Sequence, residues 1–350
     1  MKVLLTGHKG YIGAVAGPIL QSAGHEVVGL DTDLFAGCDF GKGPQPIPEI
    51  RRDLREISKA DLQGFDAVVH LAALSNDPLG NLDAHLTYDI NHHASVTLAK
   101  LAKEAGVTRF VFASSCSTYG SAGDDFLTET ASLHPVTAYG ESKVFVEQAL
   151  GLLATDNFSP TSMRNATAYG VSPRQRLDIV LNDLVASAFT SGRVFIKSDG
   201  TPWRPIVHIR DIIAAAVAVL DAPREAIHNE VFNVGRNEEN FRIRELADIV
   251  AEVVPGCRIE YALGGGPDLR CYRVNFDKIN RVLPAFRPQW TARKGAQELF
   301  AAYRSAGLTG ADVEQGRYIR LSEIRRLQQA GRLNNVLHWT GKHAETAVGV

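Results

Sequence analysis

Cysteine is scarce in this 350-residue chain, with Cys38, Cys116, Cys257 and Cys271 and no CxxC spacing among them. That excludes a disulfide framework and leads us to expect a reduced, cytoplasmic protein. Long apolar runs are missing as well, none reaching the ~18 residues of a membrane span. Met1 leads directly into Lys2-Val3-Leu4-Leu5-Thr6, without a cationic leader or a small-residue cleavage site, so neither a signal peptide nor a membrane partner is expected. Charge of one sign is not in excess. Lys and Arg total 37 against 39 for Asp and Glu, and this balance gives no field that favours nucleic acid. What remains is ordinary globular composition, 45% hydrophobic and 22% charged, at a size that can bury roughly 75% of the unfolded surface.

The first half alternates short apolar runs with helical patterns. Residues 2–6, 27–30, 67–71 and 110–113 are apolar throughout rather than alternating, which suits strands covered on both faces. Helices between them imply right-handed βαβ units, hence an α/β fold with a doubly wound parallel sheet. Ligands in such sheets bind beyond the carboxyl ends of the strands, where the glycine loop, Asp31, Ala72-Ala73 and Ser114-Ser115 all fall. Past Thr167 the pattern is less regular, with helical stretches over 178–190 and 211–221 and a strand-like run at 231–234. A smaller, mixed α/β domain laid against the sheet edge is expected there. Arg317, Arg320, Arg325, Arg326 and Arg332, set among Leu321, Ile324, Leu327 and Leu333, read as a solvated helix docked by its apolar stripe.

Gly7-x-x-Gly10-x-x-Gly13 separates the first strand from the first helix, where absent side chains let backbone approach a pyrophosphate. The spacing is a variant of the G-x-G-x-x-G fingerprint and is weak alone. Asp31 strengthens it, lying 18 residues past Gly13, near the ~20-residue offset of a carboxylate that bonds a ribose 2′-hydroxyl. Such a carboxylate repels a 2′-phosphate, and Thr32-Asp33 brings no arginine, so NAD is favoured over NADP. Tyr139 and Lys143 stand four residues apart, adjacent on one helix face. A cation beside a phenol eases its loss of a proton. Ser115, 24 residues before Tyr139 at a strand end, offers a hydroxyl for the substrate oxygen that Tyr139 deprotonates.

Thr6 to Gly13, His70-Leu71-Ala72-Ala73, Asn91, Ser114 to Gly120 and Tyr139-x-x-x-Lys143 together resemble the extended short-chain dehydrogenases, in particular the NAD-dependent nucleotide-sugar epimerase/dehydratase group. Arg164 to Gly170, Asp199-Gly200-x-x-x-Arg204, His208-x-x-Asp211 and Phe232 to Gly235 continue the likeness, which covers roughly residues 1–300. The resemblance implies an NAD cofactor, with Gly7, Gly10, Tyr11, Ile12 and Gly13 along its pyrophosphate and Asp31 on the adenosine ribose. It puts Asp53 and Leu54 around the adenine, and Leu71, Ala72 and Ala73 along the central cofactor. Lys143 would grip the nicotinamide ribose, and Asn91 would support the Tyr-Lys region. Ser115 and Tyr139 become the reacting pair, and Arg204 the clamp on a substrate diphosphate, with Thr167, Asn182 and Arg270 also on the substrate. A Rossmann domain over 1–167 with a return segment at 205–235 is implied, with 168–204 and 236–350 forming the substrate domain and a helical tail. A homodimer is expected from the family.

Departures from the pattern narrow the chemistry. Dehydratases of the group carry Asp-Glu after the catalytic hydroxyl, and this chain has Cys116-Ser117, so dehydration is disfavoured. Thr167 stands where many epimerases have Asn, and Gly265 stands where an arginine is common, a loss for which Arg270 is expected to compensate. The first expectation is a nucleotide-sugar 4-epimerase working through a transient 4-keto sugar. The second is a reductase of a 4-keto-6-deoxy nucleotide sugar using NAD(P)H, kept open by His8-Lys9 in the glycine loop. A catalytically silent NAD-binding regulator is the third. No HExxH is present and His92-His93 are adjacent rather than a turn apart, so no metal is expected. His70 reads as a satisfied core histidine, Cys116 as a core or wall residue. Ser115 lacks the G-x-S-x-G elbow of a hydrolase nucleophile.

Overall fold

Val3, Leu4 and Leu5 are fully buried, and a run apolar on both faces suits a strand covered by helices from either side. This run is β1 (Lys2–Thr6), followed by α1 (Gly13–Ser22) and β2 (Glu26–Asp31). The structure, a computed structural model, describes residues 1–75, 80, 83–262 and 271–341, except for the side chains of 122–124. Next in the chain are β3 (Glu49–Arg51), β4 (Ala67–His70), α2 (Ala94–Glu104), β5 (Arg109–Ser115), β6 (Ser121–Leu127), α3 (Ala138–Leu153) and β7 (Ser159–Asn165). Then come β8 (Thr167–Tyr169), α4 (Val180–Ser191), β9 (Arg193–Ile196), β10 (Trp203–His208), α5 (Ile209–Asp221) and β11 (Glu230–Val234). The labelled elements end with β12 (Asn240–Arg242), α6 (Ile243–Val253), β13 (Arg258–Tyr261), β14 (Cys271–Val274), α7 (Ala292–Ala306) and α8 (Arg320–Gln329).

Seven strands pair in the order β11-β7-β5-β4-β1-β2-β3, every pairing parallel. This is the doubly wound Rossmann-type sheet expected. The strand order reverses between β1 and β4, and ligands in such folds enter the crevice that this switch opens. The apolar run ending at Ala113 extends two residues as β5, so Ser114 and Ser115 are the last residues of a strand, in register with Arg164 and Asn165 of β7. One apolar core lies under α1 and α5 and contains Leu5, Ala16, Val69, Ile212 and Phe232. Another, with Leu4, Val68, Leu98, Phe110 and Val146, lies under α2 and α3 on the opposite face.

The smaller part of the molecule is mixed, as expected. β10 pairs antiparallel with β12 and parallel with β8, β13 pairs with β9, and β14 with β6. Leu181, Leu184, Leu246, Leu299 and Tyr303 join α4, α6 and α7 in a core of their own. The return to the large sheet runs through α5 and β11, while β10, at the start of the anticipated return segment, belongs to the smaller sheet. Among the described residues no helix is long and apolar enough to cross a membrane.

The expectation of a solvated C-terminal helix needs correction. Ile324 and Leu327 of α8 dock by the apolar stripe against Leu74, Leu86, Leu333 and Leu337. Arg320, however, is only 2% exposed: its guanidinium stacks 4.1 Å over the Phe35 ring and donates to the Arg174 carbonyl at 2.7 Å. An aromatic face and a carbonyl from distant segments replace water around this cation.

Gly295 of α7 marks a tight contact between two elements of the smaller part. A Cβ there would sit 2.1 Å from Cε2 of Tyr169, a fully buried ring. Gly295→Ala is expected to cost ~1–3 kcal/mol through overpacking. Urea denaturation checks this, and an unchanged midpoint would contradict it.

Candidate active site

Beyond the strand ends at the switch point lies a cavity of about 840 Å³, toward the top of the ~300–1,000 Å³ range of small-molecule sites. The β1–α1 loop forms one wall. Gly7 has φ +74°, and a Cβ on it would meet the Ala72 backbone nitrogen at 2.8 Å. A Cβ on Gly13 would lie 2.0 Å from the Gly7 carbonyl oxygen, so the loop can close only with glycine at both places. α1 begins with no side-chain cap and no acidic residue in its first turn. Its N-terminal N–H groups and dipole are therefore suited to an anion at the cavity wall.

Asp31, at the end of β2, also lines the cavity. Its carboxylate accepts from the backbone nitrogens of Lys9 at 2.9 Å and Asp33 at 2.8 Å, while burial raises its pKa above the ordinary value. Lys9, expected as a cation suited to a reductase, is already engaged. Its ammonium lies 3.2 Å from Asp33 and 2.8 Å from Glu49. Arg174 pairs with Asp33 as well, at 3.1 Å. Asp53 and Leu54 line the same end of the cavity, and the Asp53 carboxylate is held by Arg55 at 2.7 Å.

At the other end, Ser115, Ser117, Tyr139 and Lys143 line the cavity together. Ser115 Oγ accepts from the backbone nitrogen of Ser117 at 3.1 Å and from its hydroxyl at 2.9 Å. With its lone pairs so occupied, the Ser115 hydroxyl keeps its proton to donate. Thr137 caps α3 by accepting from Gly140 N, and Tyr139 and Lys143 follow in the first two turns. The Lys143 ammonium donates to the Ala113 carbonyl at 2.7 Å and lies 4.7 Å from the Phe112 ring centroid and 5.7 Å from that of Tyr139. Burial pushes this amine down to about 7, with Glu147 one turn along pulling in the opposite direction.

A buried network stands behind that pair. Arg164 Nε donates to both Glu147 oxygens at 3.1 Å and its Nη2 to one of them at 2.6 Å, while Ser114 also donates to Glu147. Asn91 does not line the cavity. It sits in a π-helical turn over Tyr88–His93, bonds both backbone groups of Leu74, and donates to Ser142 at 3.4 Å. It thereby ties the segment after β4 to α3 beside Lys143, and its support of the Tyr-Lys region is indirect. His70 lies between the hydroxyls of Thr6 and Ser95, its pKa pushed down to about 3 by burial, a neutral core residue.

Leu71, Ala72, Ala73, Ile12 and Thr167 line the cavity, as does Arg204, whose Nη1 donates to the Trp203 carbonyl at 2.8 Å. Tyr11 lines it too, but its hydroxyl points away, donating to the Gly170 carbonyl at 2.7 Å. Asn182 was expected on the substrate. Instead it is fully buried behind the wall, donating to Tyr11 Oη at 3.0 Å and to the Arg176 carbonyl at 2.9 Å. Arg270 lies outside the described residues. Sequence reasoning missed Ser117, Arg176 with its partner Asp178, and the C-terminal Arg320 and Leu337, all of which line the cavity. The dense Arg174-Gln175-Arg176-Leu177-Asp178 run was the available signal for the second of these.

The family model described as the NAD dependent epimerase/dehydratase family matches residues 3–235. The chain belongs to this family. Similar family members include a UDP-glucose 4-epimerase of Corynebacterium glutamicum, 29% identical over 268 residues, covering 72% of this chain and 80% of that one. A UDP-glucose 4-epimerase of Streptomyces lividans is 30% identical over 275 residues, with 72% and 80% covered. Among solved structures, MoeE5 in complex with UDP-glucuronic acid and NAD superposes with a TM-score of 0.76 at 27% identity, over 87% of this chain and all of MoeE5.

The residues present fit the cofactor of the epimerase/dehydratase family. Two buried polar atoms on opposite parts of the cavity wall, Thr32 Oγ1 beside Asp31 and Asn165 Oδ1 beside Ser115, have no hydrogen-bond partner among the described residues. Together with the glycine cradle and the uncapped α1, they suit a ligand that is polar along its whole length. The Asp31 carboxylate at the cavity wall opposes a 2′-phosphate.

Lys143 gives a measurable pH signature. In the unfolded chain its amine is charged up to its ordinary value of 10.5, whereas the folded protein releases that proton at about 7. Between these values the unfolded state binds more protons, so the stability of the cofactor-free protein gains from this group as pH rises. Lys143→Met removes the penalty and is expected to be the more stable protein at pH 7, by an amount on the order of a few kcal/mol. That advantage shrinks as pH climbs toward 10. Urea midpoints of the two cofactor-free proteins check this, and a pH-independent difference would contradict it.

Proposed function

We propose that this chain interconverts a nucleotide-diphosphate hexose and its C4 epimer through a transient 4-keto sugar, with NAD retained on the protein. The observation that carries the reading is that Ser115, Tyr139 and Lys143 share one cavity with the glycine loop and Asp31, while no acid follows Ser115. Cys116 is fully buried, its thiol directed at the Arg164 carbonyl and its pKa raised by burial, so it offers no acid or base for eliminating water. UDP-glucose 4-epimerases among the relatives support a uridine nucleotide and a hexose.

Gly7, Gly10, Tyr11, Ile12 and Gly13 would hold the pyrophosphate, Asp31 the adenosine ribose, Asp53 and Leu54 the adenine, and Lys143 the nicotinamide ribose. In this reading 1–167 with the returning β11 carries the cofactor, and 168–204 with 236 onward carries the nucleotide sugar, held at its diphosphate by Arg204. The chemistry that NAD supplies when bound is reversible hydride exchange at the sugar C4. Tyr139 takes the proton of the O4 hydroxyl, and Ser115 donates a hydrogen bond to the same oxygen, its own lone pairs occupied by Ser117. Lys143 steadies the phenolate by its positive charge. Once the ketone has turned its other face, Tyr139 returns the proton to O4 and the inverted alcohol leaves. No electrons are gained or lost overall. Phe145 and Leu152, 40% and 89% exposed on α3, support a homodimer through that helix.

Purified protein given UDP-glucose or UDP-galactose without added cofactor is expected to interconvert them. Tyr139→Phe should lower kcat by ~10²–10⁴ while bound NAD is unchanged. Failure of NAD-loaded wild type to interconvert either sugar, with stoichiometric NADH consumption on a 4-keto sugar, would replace epimerisation by reduction.

A further inference from the structure

The last stretch of the described chain returns to the Rossmann end of the cavity. Ile319, Arg320, Leu321 and Leu337 line that cavity alongside Thr32, Leu34, Phe35, Asp53 and Arg55. Three polar contacts fasten the segment there. Trp339 Nε1 donates to the Thr32 carbonyl at 2.8 Å, Arg55 donates to the Val336 carbonyl at 2.9 Å, and Arg320 donates to the Arg174 carbonyl at 2.7 Å. Leu333 and Leu337 complete the attachment by packing with Leu74 and Leu86.

Two features of this attachment go beyond packing. Arg320 is 2% exposed, yet its Nη1 has no hydrogen-bond partner among the described residues, and the residue lines the cavity. A buried guanidinium donor left unmatched is costly unless a ligand acceptor meets it. Leu337 adopts φ +62°, a conformation that non-glycine residues avoid, and it is fixed by bonds from Leu337, Val336 and His338 nitrogens to Asn334. In this conformation the Leu337 side chain is buried in the cavity wall.

We propose that the segment from Tyr318 to Thr340 closes the adenosine end of the dinucleotide cavity and that Arg320 donates to the adenosine moiety, so that this segment sets how slowly bound NAD exchanges. This rests on the reading of the cavity as the NAD site. A redox-neutral cycle needs no cofactor exchange, so an enclosed adenosine end carries no cost in turnover. A reductase, which must release its oxidised cofactor each cycle, would be slowed by the same closure.

The test follows exchange of bound NAD against an excess of isotopically labelled NAD in the full-length holoenzyme. Arg320→Ala is expected to speed exchange at least tenfold and to weaken competition by AMP to a similar degree, with competition by nicotinamide mononucleotide unchanged. Trp339→Phe keeps the packing and removes the indole donor to Thr32, and should speed exchange by a smaller factor. Arg325→Ala, on the exposed side of α8, should match wild type. Thermal melts of each cofactor-free variant identify any that fail to fold, and Trp339→Phe then carries the test. Wild-type exchange rates in folded Arg320→Ala and Trp339→Phe would overturn the closure alone. Wild-type protein that binds no NAD would overturn the cofactor reading and the closure with it.

Discussion

Lys143 keeps its amine where water is nearly excluded, at a free-energy cost that the surrounding structure must offset. The offset comes from three directions. The Ala113 carbonyl accepts the ammonium directly, the Phe112 ring presents its face, and Glu147 adds negative charge one helical turn away. Glu147 is itself fixed by Arg164 and Ser114, which stand in register on neighbouring strands. Moving β5 against β7 by one residue would turn Arg164 to the other face and remove the support. The parallel register of the sheet thus sets the electrostatics of a side chain on a helix above it. An amine held at about 7 is also responsive, since a phenolate forming nearby draws it toward the charged state.

The opposite end of the cavity is built on the reverse principle. There, the cations beside the end of β2 are already paired with carboxylates. Lys9 is shared between Asp33 and Glu49, Arg174 between Asp33 and Asp39, and Asp31 is left to two backbone donors. A hydroxyl-bearing ribose suits such a place and a phosphate does not. The cations nearest to β2 are spent on structure, and this is why a lysine in the glycine loop does not by itself make an NADP site.

What was legible in the sequence is what short-range rules encode. β1, the glycine loop, Asp31, and the Tyr139–Lys143 pair each depend on residues within one or two turns of themselves, and periodicity or spacing displays them. Ser115 was legible because a strand end follows from a local apolar run. Asn182 was misplaced because its partner, Tyr11, lies 171 residues away and only the fold brings them together. Arg320 looked solvated for the same reason. The Arg174 carbonyl, 146 residues away, and the Phe35 ring, farther still, reach it only through the fold, and no local pattern records an aromatic face supplied from the turn after β2. Polar residues spent on long-range bonds carry no sequence periodicity.

Catalysis of this kind demands two opposed properties of one cavity. The reacting end must admit a sugar, let it turn, and release it, and there Ser117 and the Ala113 carbonyl hold Ser115 and Lys143 within the wall while Arg164 fixes Glu147 behind it. The adenosine end has no such need. Its walls are pinned by contacts that span the chain from Thr32 to Trp339. The two ends differ in how their contacts are distributed: behind the wall near Tyr139, Arg164 holds Glu147, while near Asp31 the Trp339 indole reaches across to the Thr32 carbonyl. On the proposed reading, this difference would let the cofactor stay while the sugar exchanges, as a hydride borrowed and returned within one turnover requires.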